Sequence, residues 1–220
     1  MVVPERYAYP IPAAFSDAQA APLLCAGAIG YRSLRLTGLV NGQALGLTGF
    51  GASAHLVLKM VRHHYPDTVV CVFARSERER RFALELGVSW AGGITQRPPQ
   101  RLQAIIDTTP AWRPVVESLA NLLPGGRLVI NAIRKEAADQ DCLLHLDYPR
   151  HLWMEKEIKS IANVTRDDVT EFLRLAAKIP LLPEHQLYPF AEANRALVEL
   201  KRGDVRGAKV LVVADGGAGG

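Results

Sequence analysis

A glycine-rich hexapeptide is the part of the sequence whose residue types and spacing indicate the clearest chemistry. Gly49-Phe50-Gly51-Ala52-Ser53-Ala54 follows a strand-like apolar run and precedes a helix-like one. In such a turn the first glycine permits the tight bend, the second leaves room for a diphosphate, and the small last residue allows close packing. The free amides at the start of the following helix attract phosphate. The pattern also fits a purely structural turn, but its position between strand and helix favours a dinucleotide site.

The residues after the next strand-like run bear on which nicotinamide cofactor fits such a site. That run ends at Ala74 and is followed by Arg75-Ser76-Glu77-Arg78. An NAD site has a carboxylate here for the ribose hydroxyls, whereas an NADP site has small and basic groups that admit the 2′-phosphate. Arg75, Ser76 and Arg78 supply guanidinium and hydroxyl donors, so NADP is favoured over NAD. Two alternatives stay open, namely Glu77 as a ribose ligand and an ordinary solvated helix start.

Cysteine and histidine are the side chains that would bind a metal ion. A catalytic zinc needs about three protein ligands that converge on it. From its own surroundings, Cys25 is expected to be a buried helix cysteine. The histidines are His55, His63, His64, His145, His151 and His185. His55 is expected to pack or cap at the phosphate turn and His63-His64 to point away from it. His145 and His151 remain as candidates, in an irregular stretch that could pass near the cleft.

A parallel sheet covered by helices is the arrangement that would position these residues. Apolar segments alternate between strand-like and helix-like periods, which is typical of that architecture. The predicted strands are 44–48, 69–74, 103–108, 127–133 and 157–163, and the predicted helices are 16–36, 52–64, 77–86, 112–122 and 166–178. We therefore predict an α/β fold with a doubly wound parallel sheet. The cofactor is expected across the carboxyl ends of the strands, beside the glycine turn.

The pattern of predicted elements changes after Pro180 and Pro183. A strand over 186–189, a helix over 191–202 and a strand over 208–213 are predicted to form a separate closing unit. The glycine-rich end, 215–220, is predicted to be a flexible tail.

Composition excludes several classes of function. The net charge of +4 is small for 220 residues and the basic residues are scattered, which argues against a nucleic-acid partner. No apolar run approaches the length of a membrane span, and the first twelve residues lack the pattern of a signal peptide. Cys25, Cys71 and Cys142 are odd in number and widely separated, which favours a reducing cytoplasm over a disulfide framework.

Several motifs, taken in order, resemble the zinc-dependent medium-chain alcohol dehydrogenases, and most closely their cinnamyl-alcohol-dehydrogenase-like branch. The matching segments are Ala20-Ala21-Pro22-Leu23-Leu24-Cys25-Ala26-Gly27-Ala28-Ile29-Gly30-Tyr31-Arg32, Leu47-Thr48-Gly49-Phe50-Gly51-Ala52-Ser53-Ala54-His55, Leu86-Gly87, Leu122 with Pro124-Gly125-Gly126, and Gly203-Asp204-Val205-Arg206-Gly207-Ala208-Lys209-Val210. The resemblance covers nearly the whole chain. It implies hydride transfer between a nicotinamide and a small-molecule alcohol or aldehyde.

The resemblance also implies roles for individual residues. The family's cysteine at the Cys25 position is a ligand of the catalytic zinc, which polarises the alcohol or aldehyde oxygen. Thr108 and Thr109 would lie at a strand end under the nicotinamide ring. Asn131, Ala132 and Ile133 would flank that ring, and Arg206 would reach the diphosphate.

The resemblance is incomplete, because the family's preceding barrel-type domain, which supplies the other zinc ligands, has no counterpart here. We therefore expect 1–25 to be a remnant of that domain with a lead helix, 26–181 to be the dinucleotide-binding domain, and 182–214 to be a second remnant. Remnant strands are expected to keep unpaired edges, which makes a homodimer plausible.

Four functional alternatives follow. The chain is an NADP-dependent alcohol dehydrogenase or aldehyde reductase by lineage, inactive or partner-dependent by itself. It is a non-catalytic dinucleotide-binding module or subunit. It is a fragment without an independent role. The fourth is catalysis without zinc, as in the quinone-reductase relatives, against which the cysteine at position 25 argues.

Overall fold

A six-stranded parallel sheet forms the centre of the computed structural model, which describes residues 2–179, 181–203 and 206–213. The strands are β1 (Ala44–Thr48), β2 (Val69–Phe73), β3 (Trp90–Gly92), β4 (Leu102–Asp107), β5 (Leu122–Ile130) and β6 (Glu157–Ser160). The helices are α1 (Asp17–Ala20), α2 (Ala28–Thr37), α3 (Ala52–His64), α4 (Glu77–Glu85), α5 (Arg113–Asn121), α6 (Arg166–Lys178) and α7 (Ala193–Arg202). A two-stranded sheet of β7 (His185–Pro189) and β8 (Ala208–Val212) follows. The predicted flexible tail, 215–220, lies outside the described residues.

The strand order is β3-β2-β1-β4-β5-β6, and every neighbouring pair is parallel. This is the doubly wound arrangement, in which the winding reverses between β1 and β4 and leaves a crevice at their carboxyl ends. The predicted fold class is therefore confirmed. The sequence analysis missed β3, because a strand of three residues is too short to show a period of two.

Alternate residues of the central strands face opposite sides of the sheet. Leu45 and Leu47 of β1 join the larger apolar cluster, which contains residues of α2, α3, α4 and α6. Ala44 joins the second cluster, where Val115 and Leu119 of α5 pack. Helices thus cover both faces, and every residue of β1 is buried, as is usual for parallel strands.

The helical lead before β1 is interrupted, whereas one continuous helix over 16–36 was predicted. Ser16 caps α1 through a capping box with Gln19. The chain then makes one π-helical turn, Leu23–Gly27, before α2 begins. Pro22, which directly precedes that turn, has no backbone N–H to donate into a regular helix, and this accounts for the break. The π-helical turn carries Cys25.

The C-terminal unit is held together by a polar cluster. Lys209 Nζ of β8 donates to Tyr188 Oη of β7 at 2.6 Å and to Glu199 Oε2 of α7 at 2.5 Å. Within the described residues β7 and β8 pair only with each other, so each strand has a free edge, as predicted. In the described part of the chain, no helix combines the length and the apolar character needed to cross a membrane.

Candidate dinucleotide-binding site

The glycine turn lies at the carboxyl end of β1 and fits closely against the end of β4. Gly49 has a φ of +77°, and a Cβ there would lie 2.7 Å from Thr108 Oγ1. The Gly49 N–H donates to the Phe73 carbonyl at 2.8 Å, which ties the turn to the end of β2. Any other residue at position 49 would be strained by its backbone conformation and by this contact.

Gly51 has the opposite environment, because no atom of the described residues beyond its two chain neighbours lies within 4 Å of the position that its Cβ would take. It is also the N-cap residue of α3, a helix of 13 residues whose first turn receives no side-chain cap. The first amides of a helix have no partner within the helix. An open approach and uncapped amides are what a phosphate group needs. Ala54, the last small residue of the motif, is fully buried against the sheet.

The predicted threonines follow β4 directly and lie beside the glycine turn. Thr108 Oγ1 donates to the Thr48 carbonyl at 2.9 Å, and Thr109 Oγ1 donates to Asp107 Oδ1 at 2.8 Å. Both side chains are half-buried, so the ends of β1 and β4 form a fixed polar floor. The structure thus brings this predicted pair together with the glycine turn.

The segment after β5 forms the next part of the same edge. Asn131 Nδ2 donates to Ser33 Oγ at 2.7 Å and to Ser53 Oγ at 3.3 Å, which joins α2, the start of α3 and the end of β5. Ala132 is half-buried, whereas Ile133 is completely exposed. The predicted strand over 127–133 ends earlier, at Ile130, so these three residues lie in the loop at the carboxyl end of the sheet.

A buried ion pair under this floor was missed by the sequence analysis. The Asp107 carboxylate is fully buried and accepts from Thr48 Oγ1 at 2.5 Å and from the ammonium of Lys135. Lys135 also donates to the carbonyls of Thr109 and Ala111, at 2.7 and 3.0 Å. The pair locks the loop after β5 to the end of β4. A single carboxylate at the end of an apolar run was the only sequence signal for it.

The end of β2 differs from the prediction in the role of Ser76. Its hydroxyl is part of a capping box with Glu79, to whose Oε2 it donates at 2.8 Å, so it is already engaged. Glu77 pairs with Arg81 on the exposed side of α4. Arg75 is exposed, and Arg80, which was not predicted, donates to the Ala74 carbonyl at 2.9 Å.

The remaining predicted arginines lie along α4. Arg78 is exposed and lines a surface pocket together with Phe82 and Arg206. Arg206 Nη1 lies 2.8 Å from Glu85 Oε2, and its guanidinium lies 4.5 Å from the centre of the Phe82 ring. Phe82 packs edge-on against Phe50 of the glycine turn, with ring centres 5.4 Å apart. The Phe82 ring thus lies between Arg206 and Phe50 of the turn, and Arg206 is held by a carboxylate.

His55 joins the glycine turn to the C-terminal unit. The Glu184 N–H donates to its Nε2 at 3.1 Å, so Nδ1 carries the proton and donates to the Gly51 carbonyl at 3.2 Å. The ring is fully buried, and burial lowers the pKa of His55 to about 4. The ring is therefore neutral near pH 7 and holds the carbonyl at the N-cap of α3. Its predicted packing role is confirmed.

The described residues by themselves do not fit a zinc centre. Cys25 is exposed on its π-helical turn, so the expectation of a buried cysteine is wrong. Within the described part of the chain, no three His, Cys, Asp or Glu side chains are grouped so that they could hold a metal ion. His151 is buried, and its Nδ1 accepts from the Asp147 N–H at 2.9 Å. His145 is exposed and belongs to no such group.

Comparisons with known proteins place this geometry in a family. A probable alcohol dehydrogenase of Mycobacterium tuberculosis is 38% identical over 211 residues, which are 96% of this chain and 59% of that protein. A probable cinnamyl alcohol dehydrogenase of Zea mays is 32% identical over 224 residues, 97% of this chain and 58% of that protein. The structure of a cinnamyl alcohol dehydrogenase from Helicobacter pylori, solved in complex with NADP(H), superposes with a TM-score of 0.72 and 23% identity, covering 88% of this chain and 54% of that one. No protein-family model matches the chain.

The two curated relatives are alcohol dehydrogenases by description, and each aligns along nearly the whole of this chain. The chain spans less than two thirds of their length, 59% and 58%. The solved structure shares the doubly wound sheet and supports the fold. The chain therefore belongs to the medium-chain alcohol dehydrogenase family, in which cinnamyl alcohol dehydrogenases are among its relatives.

Proposed function

We propose that the chain binds NADP(H) across the carboxyl ends of β1, β4 and β5 and serves an alcohol dehydrogenase or aldehyde reductase. The observation that carries this proposal is the open space at Gly51 in front of the uncapped first turn of α3. A diphosphate placed there would accept from the amides of Ala52, Ser53 and Ala54. When bound, the nicotinamide would donate or accept the hydride.

The residues of the strand ends would position the nicotinamide. Thr108 and Thr109 are fixed by hydrogen bonds to Thr48 and Asp107, so they offer a rigid surface under the ring. Asn131, Ala132 and Ile133 would flank the ring on its other side. A rigid support of this kind lowers the entropy cost of aligning the reacting carbons.

The end of β2 supports NADP over NAD. Ala74 is buried and offers no carboxylate to the ribose, and Glu77 is turned toward Arg81. Arg75 is exposed there, and Arg80 adds a second positive charge at the same strand end. Two guanidinium groups match a 2′-phosphate, and the related Helicobacter pylori protein was solved with NADP(H). Arg78 would add charge from the next turn, and Arg206 would reach the diphosphate only by leaving Glu85. Ser76 would contact the 2′-phosphate only by leaving Glu79, which engages both its hydroxyl and its N–H.

The catalytic zinc of the family would require ligands in addition to Cys25. We infer that residues 1–25 and 182–214 belong with a catalytic domain and 26–181 with the cofactor. Turnover would need the other ligands and the wall of the substrate pocket from outside the described residues, as in a partner-dependent scheme. A non-catalytic dinucleotide-binding module is the second candidate, supported by the absence of any metal-holding group among the described residues.

The exposed edge of the main sheet supports a homodimer. β6 pairs with β5 on one side only, and its four residues are all exposed. An edge strand of this kind offers unpaired backbone groups to a second copy. The substrate class that follows from the family is a small alcohol or aldehyde.

Calorimetric titration of the purified chain with NADPH and with NADH, together with its zinc content, tests these proposals. We expect NADPH to bind more tightly than NADH, with one site per chain and no stoichiometric zinc. Stoichiometric zinc would contradict the partner-dependent scheme and would make alcohol oxidation by the chain alone the next assay. Binding of neither cofactor would overturn the proposed function.

A further inference from the structure

A second concave surface, here termed the arginine hollow, lies at the amino ends of the strands of the main sheet, whereas the glycine turn lies at their carboxyl ends. It is lined by Arg97, Arg101 and Arg150, with Gln96, Gln100 and Glu117 among its other residues. Arg101 directly precedes β4, so the hollow lies at the amino end of that strand. Because β4 has six residues, the hollow and the cofactor groove are separated by roughly 16–20 Å of strand.

The arginine hollow carries positive charge that the described residues do not neutralise. Arg97, Arg101 and Arg150 are exposed, and none of them forms a salt bridge with a described carboxylate. Among the described residues that line the hollow, only Glu117 is acidic, and its Oε1 lies 3.9 Å from Arg113 Nε. Asp147 Oδ1, close by in sequence, accepts from the backbone N–H of Arg150 at 2.9 Å.

The environment of Lys156 reflects the same excess of positive charge in the arginine hollow. Its ammonium donates to the carbonyls of Leu119 and Arg150, at 2.8 and 2.7 Å. Burial lowers the pKa of Lys156, and the charges of Arg101 and Arg150 lower it further. The two arginines thus repel a half-buried ammonium, and a bound anion would relieve this repulsion.

The backbone of the arginine hollow is restrained before any ligand binds. Gln96 Oε1 accepts from the Gly93 N–H at 2.6 Å, and the Gln96 N–H donates to the Gly93 carbonyl at 3.0 Å. Pro98 and Pro99 then fix the backbone between Arg97 and Arg101. A restrained loop loses little entropy when it binds, which favours a specific ligand over a transient counter-ion.

We propose that the arginine hollow is a binding site for a small polyphosphate anion, distinct from the cofactor groove. Three guanidinium groups present planar donor pairs that match phosphate oxygens, and a polyphosphate carries enough charge to contact more than one of them. The hollow has a volume of about 360 Å³, within the usual range for small-ligand sites. Pyrophosphate is the simplest ligand of this class, and the phosphates of a nucleoside triphosphate have the same chemistry.

The test is a calorimetric titration with pyrophosphate, made in a Gly51→Asp background that closes the glycine turn to phosphate. We expect one site to remain in that background. Arg101→Gln and Arg150→Gln should each weaken it by about tenfold, and more together. Arg174→Gln, which removes an exposed arginine of α6, is the matched control and should leave the affinity unchanged.

Two results would overturn the proposal. One is no pyrophosphate binding in the Gly51→Asp background, and the other is binding that the arginine substitutions do not change. All three arginines are exposed, so thermal unfolding should show that the variants remain folded. A parallel titration with ATP separates the sources of the ligand, because tighter binding than pyrophosphate indicates a nucleotide and equal binding indicates free polyphosphate. NADPH affinity should be unchanged in Arg101→Gln, which keeps this test separate from that of the cofactor groove.

Discussion

Substitution of Gly51 by aspartate should weaken cofactor binding while the fold is retained. Residue 51 is the N-cap of α3, where aspartate is among the preferred residues because its carboxylate accepts from the first free amides. Its φ of −98° suits any residue, and the space around the added Cβ is empty. The fold should therefore be retained, and α3 should gain a few tenths of a kcal/mol.

The same substitution removes what a diphosphate requires. The new carboxylate would occupy the open space, use the free amides and lie about 4 Å from a phosphate oxygen. Two unit charges at about 4 Å repel each other by roughly 4 kcal/mol at the effective dielectric of a protein surface, and salt screens part of this. A net loss of about 3 kcal/mol corresponds to a loss of affinity of roughly 100-fold.

The assay is calorimetric titration with NADPH alongside thermal unfolding of the same samples. Val40→Asp, which adds the same charge at the amino end of β1, is the control and should bind as the unmodified chain does. An affinity of Gly51→Asp within threefold of the unmodified chain would refute the assignment of the glycine turn. A lowered melting temperature would instead refute the N-cap argument.

Three further predictions follow from the contacts around the site. Arg75→Ala should weaken NADPH binding about tenfold and leave NADH nearly unchanged, because only the former carries a 2′-phosphate; equal losses in parallel titrations would contradict the basic pocket. The pKa of His55 falls from 6.5 to about 4 on burial, so the folded state binds fewer protons there. The contribution of the neutral ring to the free energy of unfolding is complete above pH 6.5. It is lost as pH falls from 6.5 to 4, by up to about 3 kcal/mol. In urea unfolding between pH 7.5 and 4.5, the free energy of unfolding of His55→Gln should lack this part of its pH dependence. The same pH dependence in both proteins would contradict the argument. Lys135→Met should lower the free energy of unfolding by about 3 kcal/mol, because it leaves the Asp107 carboxylate buried without a cation. Asp107→Asn in the same chain should restore part of this stability. A loss below about 1 kcal/mol for Lys135→Met would show that the pair is not stabilising.

Local patterns predicted the centre of the fold well. The predicted β1, α3 and α6 have the bounds of the observed elements, because apolar periodicity and flanking turn residues are local signals. The lead helix was predicted as continuous because its apolar spacing is helical throughout, and Pro22 was given too little weight. β3 was missed because it owes its existence to pairing with β2 rather than to its own three residues.

The candidate site was less accessible from the sequence. Ser76 was assigned to the phosphate, although Ser76-Glu77-Arg78-Glu79 has the spacing of a capping box, and the structure shows that box. Asp107 and Lys135 are 28 positions apart, and their pairing depends on the meeting of two strand ends, which no local pattern reveals. His55 was expected to pack, but its bond to Glu184 depends on the position of the C-terminal unit.

Cofactor binding and metal binding make different demands on this chain. The groups proposed for the cofactor are backbone amides and short side chains at the ends of adjacent strands, and the sheet itself brings them together. A zinc centre needs side chains that converge from separate elements, and in the described part of the chain Cys25 has no such neighbours. The proposed cofactor site and the proposed zinc site can therefore be tested separately. Under the proposed function, binding of NADPH would depend on the strand ends whether or not zinc is bound, whereas turnover would need further zinc ligands in addition to Cys25.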